Sequence, residues 1–313
     1  MILRISDNFL GNCKAPDLSD LICEAIVHGH FIDVTPGARR LIRQNVSMHG
    51  STNQKALLRN HGCNFDISEN IYKYLTTWEI DESYSFDNVM RLIKRPSRLV
   101  TENAHQEWPV YKAIIDLYKS DPVYGDYFSI LKTAKDSCFI EEAHAGGTGE
   151  LLKEADVRPI KHKGENLLLK RTCILFDSDR DNADCFDGNK NHLFKRLCGK
   201  EYIDVTNDDI YTLDHIAPVW HMWYKRAIEN YFPASQYREI NCDTSQWDNL
   251  PPVEKDYVLL DRKSTPGYDK KRLAELVATM NRKKFESDLK RFRVGDEDMS
   301  EMQLFLLKLV KIL

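Results

Sequence analysis

The sequence predicts an α/β protein: a parallel sheet flanked by helices, preceded by a mainly helical region and followed by a helical extension. Three observations predict it. Short apolar runs alternate with helix-periodic stretches through the middle of the chain, residues 1 to about 95 carry helical spacing, and the stretch beyond about 240 returns to that spacing. Residues 1–95, 96–240 and 241–313 are therefore read as three successive regions. A chain of 313 residues is long enough for one large domain or two ordinary ones, each with its own core.

In the first region, Asp17 to His28 places Leu18, Leu21, Ile22, Ala25 and Ile26 on one helical face. Gly37 to Val46, Asn53 to His61 and the stretch NIYKYLTTWEI (70–80) predict further helices. Arg39, Arg40, Arg43, Lys55 and Arg59 make this region locally basic. The plain reading of such a run is a solvated helix face, and the alternative is a surface for nucleic acid or a partner.

From Arg98 the rhythm changes. The run RLVT (98–101) is followed by Glu102 and a helical pattern, EWPVYKAIIDLYKS. SCFIE (137–141) leads through HAGGTGE into a short helix, and LLLKRTCILF (167–176) leads through a loop into NHLFKRLCG. DIYTLDHI (209–216) predicts a fourth strand, with a helix near WHMWYKRAIENYF. Strands alternating with helices over this length imply a parallel sheet whose site lies at the carboxyl ends of its strands. Residues 268–291 read as one or two amphipathic helices with a basic face that is either solvated or tracks nucleic acid. The final MQLFLLKLVKIL reads as an amphipathic helix whose apolar side needs cover, from the core by default or from a second copy in a homo-oligomer.

Composition bounds the function classes. The formal net charge is -4, which gives no global signature of a nucleic-acid binder, although a local patch can act on its own. No run of about 18 apolar residues is present, against a membrane span. The start lacks the basic-then-apolar order of a secretory signal, and the 8 cysteines contain no CxxC pair. Both features predict a cytoplasmic protein with reduced thiols. Cys23, His28, His30 and Cys63 have a spacing that matches no standard zinc pattern.

The chemistry concentrates after three of the strands, at Glu102, at Gly146–Gly147 and at Asp177 with Asp179. Aspartates one residue apart in extended chain project the same way, and their repulsion is relieved by a hard divalent cation such as magnesium, manganese or calcium. A loop or helix cap is the plain alternative for the pair, and an ordinary tight turn for the glycines. His144 lies near the same edge, where the plain reading is a structural or exposed histidine and the alternative is a contact to phosphate. His215 and His221 flank Trp220 in an aromatic junction.

Taken together, LVTENAHQEWPVYKAI, HAGGTGEL, CILFDSDRDN and KRAIENYFP resemble a Toprim domain, in particular the OLD-like Toprim nucleases and the stand-alone Toprim effectors of anti-phage systems. The resemblance covers about residues 97–235. It implies a Toprim-like sheet, Mg2+ or Mn2+, and an endonuclease that cleaves phosphodiester bonds of DNA or RNA, tRNA among them. Glu102 matches the family's strand-end glutamate, and Asp177 and Asp179 match its DxD, so these three are the expected metal ligands. Many members carry a second acid four positions after the glutamate. Here that position is Gln106, and Glu107 is the expected substitute. Lys225, Arg226 and Glu229 correspond to a stretch of the nuclease branch and enter as accessory residues with Gly146 and Gly147; Lys225 is also a candidate for stabilising charge on phosphate. The resemblance further implies a defence effector held by a regulatory protein, such as an ATPase or a reverse transcriptase complex. The chain has no GxxxxGK[ST] loop, so any nucleotide sensing falls to that partner. The alternative is a non-catalytic or partner-silenced Toprim module. A phosphoacceptor domain fits the acids but not KRAIENYFP.

Overall fold

Two parallel sheets organise the chain, which the computed structural model describes over residues 1–60, 65, 73–182, 186, 188–261 and 265–313. In the first sheet β1 (Ile2–Ile5) lies between β2 (Phe31–Asp33) and β3 (Thr77–Ile80), and both pairings are parallel. Parallel pairing needs crossovers. The first is made by α1 (Asp7–Asn12) and α2 (Ala15–Val27), while α3 (Pro36–His49) and α4 (Thr52–Asn60) follow β2. Ser6 and Thr35 cap α1 and α3 through their hydroxyls. The expected helices at 17–28, 37–46 and 53–61 are thus present, with His61 outside the described residues.

The stretch 70–80 corrects the expectation. Its last four residues form β3, in which Trp78 and Ile80 are buried while Thr77 and Glu79 are not. Residues 70–72 lie outside the described residues. A short apolar stretch fits either period, and pairing with β1 decides it. The first region is thus mainly helical, as expected, but is built on a three-stranded parallel sheet that the sequence reading did not anticipate.

Helix α5 (Phe86–Lys94) leads into the second sheet. Its strands are β4 (Ser97–Thr101), β5 (Ile140–His144), β6 (Thr172–Phe176) and β7 (Val219–Met222), in the spatial order β5-β4-β6-β7, all parallel. Between them run α6 (Ala104–Tyr118), α7 (Gly125–Asp136), α8 (Leu151–Ala155) and α9 (Asn191–Leu197). All five residues of β6, TCILF, are buried, as expected of a strand covered on both faces.

Three boundaries differ from the sequence expectation. β5 begins at Ile140, later than 137–141 implied, and Leu167–Arg171 is a 3-10 turn that shortens β6. The run 209–216 is not a strand. Thr206 and Asp209 close a capping box over the helical turn Asn207–Ile210, and the fourth strand is VWHM, inside the stretch expected to be helical.

The C-terminal region contains α10 (Leu273–Thr279), α11 (Arg282–Ser287), the antiparallel hairpin β8 (Arg291–Val294) and β9 (Glu297–Ser300), and α12 (Glu301–Lys311). It is thus not purely helical. Every residue of α12 from Glu301 to Val310 is buried, and the helix packs on α7 and β7. It is therefore enclosed by the core and not laid on it by one side. Arg171 ties α5 to β4: its buried guanidinium donates to Ser97 Oγ and to the carbonyls of Leu92, Ile93 and Arg95, and Ser97 Oγ donates to Ile312 O at 2.6 Å. No helix among the described residues is long and apolar enough to cross a membrane.

Candidate acidic site

The connections of the second sheet set the position of the site. From β4 the chain steps to β5 on one side, then returns past β4 to β6 on the other. The crevice beyond the carboxyl ends of β4 and β6 is therefore the topological switch point, where a ligand fits between diverging crossovers. Thr101 of β4 is in register with Leu175 of β6 and with His144 of β5. Glu102, Asp177 and the Gly146–Gly147 turn follow directly and emerge at one edge, as the sequence order implied.

A buried lysine collects these strand ends. Lys190 Nζ lies 3.0 Å from Glu102 Oε1 and 2.6 Å from Asp179 Oδ2, and it donates to Thr148 Oγ1 at 3.3 Å. Its side chain is only 2% exposed. Burial disfavours its charge, but Glu102 and Asp179 outweigh that and hold the ammonium above its ordinary pKa. Thr148 follows Gly146 and Gly147, whose φ values of 75° and 127° are open to glycine and strained for other residues. Asp179 has φ 52°, a left-handed conformation that Asp tolerates better than most residues. Its N–H donates to Arg226 O at 3.1 Å, and Ser178 Oγ donates to Lys225 O at 2.7 Å.

A second lysine organises the other acids. Lys270 Nζ lies 2.8 Å from Glu107 Oε1 and 2.9 Å from Glu229 Oε1. Tyr111 OH donates to Glu107 Oε2 at 3.2 Å and Tyr268 OH to Glu229 Oε1 at 3.0 Å. Burial disfavours the Lys270 charge, yet Glu229, Asp177 and Glu107 hold its pKa well above the usual range. Glu229 Oε2 is buried with no hydrogen-bond partner among the described residues.

Asp177 lies between the two groups. It makes no hydrogen bond or ion pair among the described residues. Burial pushes its carboxyl well above the usual carboxylate range; Lys270 opposes this, and Glu229, Glu107 and Glu102 add to it. Glu107 is raised as well, by burial first and against the pull of Lys270. The structure thus brings together Glu102, Glu107, Asp177, Asp179 and Glu229. Glu107, one position beyond Gln106, belongs to the acidic group.

The side chains of Lys225 and Arg226 do not join it. Lys225 pairs with Asp256 at 2.6 Å and Arg226 with Asp181 at 2.6 Å, so it is their carbonyls that hold the DSD turn. His144 is exposed, its ring centroid 5.4 Å from that of His105. His215 stacks on Trp220 and meets Asp209 O, and His221 is wholly buried beside Lys308. Cys23 is buried in α2, His28 meets Glu24 O and His30 meets Ile93 O; Cys63 lies outside the described residues.

Lys190, Lys270, Tyr111 and Tyr268 escaped the sequence reading. A lone lysine in GNKNHLF carries no pattern, and Lys270 sat in a basic run that read as a helix face. Tyr111 was recoverable, because it lies four residues after Glu107 on the same helix and so shares its face.

Among the described residues, no three His, Cys, Asp or Glu side chains converge as ligands of one ion. No family model, curated protein or solved structure matches this chain.

Proposed function

We propose that this chain is a metal-dependent nuclease of the Toprim type that hydrolyses phosphodiester bonds of DNA or RNA, with Glu102, Asp177 and Asp179 as its metal-holding acids. The observation that supports this is five carboxylates gathered at the switch point of a parallel sheet, with two buried lysines among them. The donor set is all oxygen, which suits Mg2+ or Mn2+. Unpartnered Asp177 and the orphaned Glu229 Oε2 are the atoms with capacity left for a cation. Such an ion, when bound, supplies an activated water and neutralises charge developing on phosphate.

The chain's own residues do the rest. Lys190 orients Glu102 and Asp179, and Lys270 orients Glu107 and Glu229. Glu107, held above its ordinary pKa by burial, is placed to act as a general base toward an attacking water. Lys190 and Lys270 take the charge-stabilising role expected of Lys225, whose side chain is engaged by Asp256. Service as the toxic effector of an anti-phage system, under a regulatory protein, belongs to the same proposal and rests on the resemblance. A second reading, a module silent until a partner frees it, draws support from Lys190 and Lys270, which already neutralise Glu102, Asp179, Glu107 and Glu229.

The test is purified chain against supercoiled plasmid and total tRNA with Mg2+, Mn2+ or EDTA. Products that need metal are expected; their absence with every substrate contradicts the reading of an active enzyme.

A further inference from the structure

We infer that the cleft between α3 and α4 is a holding surface for the phosphate backbone of a nucleic acid. It rests on the proposed function only for the class of ligand. Ala38, Ile42 and Val46 bury one face of α3, which turns Arg39, Arg43 and Ser47, spaced at i, i+4 and i+8, along another. Lys55 and Arg59 are spaced at i, i+4 on α4. The two rows meet across a cavity of about 340 Å³ lined by Arg43, Val46, Ser47, Lys55, Leu58 and Arg59.

Three cations, Arg43, Lys55 and Arg59, line this cleft together. The side chains of Arg43, Lys55 and Arg59 make no ion pair or hydrogen bond among the described residues. On α2, Asp20 is engaged by Gln54 Nε2 of α4 at 2.7 Å. Lys132, Lys195 and Arg291, paired with Asp136, Glu201 and Asp298, are surface cations that do carry a counter-charge and so serve as controls. The chain carries a net charge of -4, so this concentration is not a by-product of a basic composition. Like charges at helical spacing repel, and an external polyanion relieves that repulsion by releasing its own counterions. The concave shape, two cationic walls over Val46 and Leu58, suits a strand that enters the cleft more than a flat lipid surface.

The test uses full-length protein in EDTA, so that binding is read without cleavage. Fluorescence anisotropy compares wild type with Arg43→Ala/Lys55→Ala/Arg59→Ala on labelled single-stranded and duplex 30-mers across a salt series. The triple variant should bind at least about tenfold more weakly at low salt. Its log K against log salt slope for single strands should be shallower by about 2, for three lost phosphate contacts at ~0.7 each. Removing the paired cations Lys132, Lys195 and Arg291 together should leave both values unchanged. Arg59→Gln alone, with a slope change of about 0.7, carries the test if the triple variant fails to fold. Wild-type affinity and slope in the cleft variants overturn the inference. So does equal loss in the control, or loss of binding to phosphatidylserine vesicles but not to nucleic acid. A wild type that binds in EDTA yet cuts nothing with manganese leaves this surface standing and removes the cleavage reading.

Discussion

The Lys190 ammonium lies 2.6 Å from the Asp179 carboxylate and, with Glu102 at 3.0 Å on its other side, ties together the ends of two neighbouring parallel strands. Asp179 follows β6 and Glu102 follows β4, so one buried cation closes the crevice where the sheet changes direction. Replacing it with an apolar isostere leaves two carboxylates facing one another.

Lys190→Met should therefore cost on the order of 2 kcal/mol. That is below the ~3–5 kcal/mol of a fully buried broken pair, because Asp179 stays about 42% exposed. Saturating Mg2+ or Mn2+ should raise the melting temperature of the variant more than that of wild type. A variant that melts like wild type, with no added response to metal, contradicts this role.

Lys270→Met should introduce a pH dependence. Glu107 and Asp177 already have folded pKa values above their ordinary ones, and removing their nearest cation raises them further. Groups with raised folded pKa stabilise below the unfolded value, about 4 for these acids, and lose that contribution as pH rises through the folded one. The variant should thus lose more melting temperature relative to wild type at pH 8 than at pH 5. An equal loss at both values rules out the coupling of Lys270 to these acids.

Much of this site was legible, and the reason is local. Glu102 and Asp177 follow short apolar runs directly, and a parallel sheet delivers such positions to one edge whatever the loops do. Glu107 came only from the resemblance, as the substitute for the acid expected at Gln106. The unread part came from tertiary closure. Lys190 and Lys270 approach from separate later segments, and no spacing in the sequence ties either to Glu102 or Glu107. β3 and β7 were missed for a related reason: TWEI and VWHM are too short to show their period, and pairing with β1 and β6 makes them strands. The N-terminal sheet was lost with β3.

Gly147→Ala should destabilise by about 1–2 kcal/mol. A Cβ there meets nothing within 4 Å, so the cost comes from the backbone conformation alone, φ 127° and ψ 167°, a region essentially reserved for glycine. Gly149→Ala, also with open space around its Cβ and without a positive φ, is the control and should be near neutral in a chemical-denaturation series. Equal effects of the two substitutions contradict the assignment of the turn to backbone geometry.

Lys308 is buried in α12, donates to Ile210 O at 2.6 Å and to Trp220 O at 2.9 Å, and faces His221, Cys173, Glu301 and Lys311. Burial lowers its pKa to about 7. With a depressed folded pKa, the unfolded chain binds the extra proton between about 7 and the ordinary lysine value near ~10.4, so this residue makes stability rise with pH across that window. The slope of unfolding free energy against pH from 7.5 to 9.5 should be smaller in Lys308→Met. An unchanged slope means the ammonium is not desolvated as described.

The most direct measurement is metal-dependent cleavage by wild type, Glu102→Gln and Asp177→Asn, run in parallel with their melting curves. Cut nucleic acid is expected with Mn2+ for wild type, none with EDTA, and none for either variant while both still fold. Identical products from wild type and the two variants, or no metal-dependent product from wild type, contradict the proposed function.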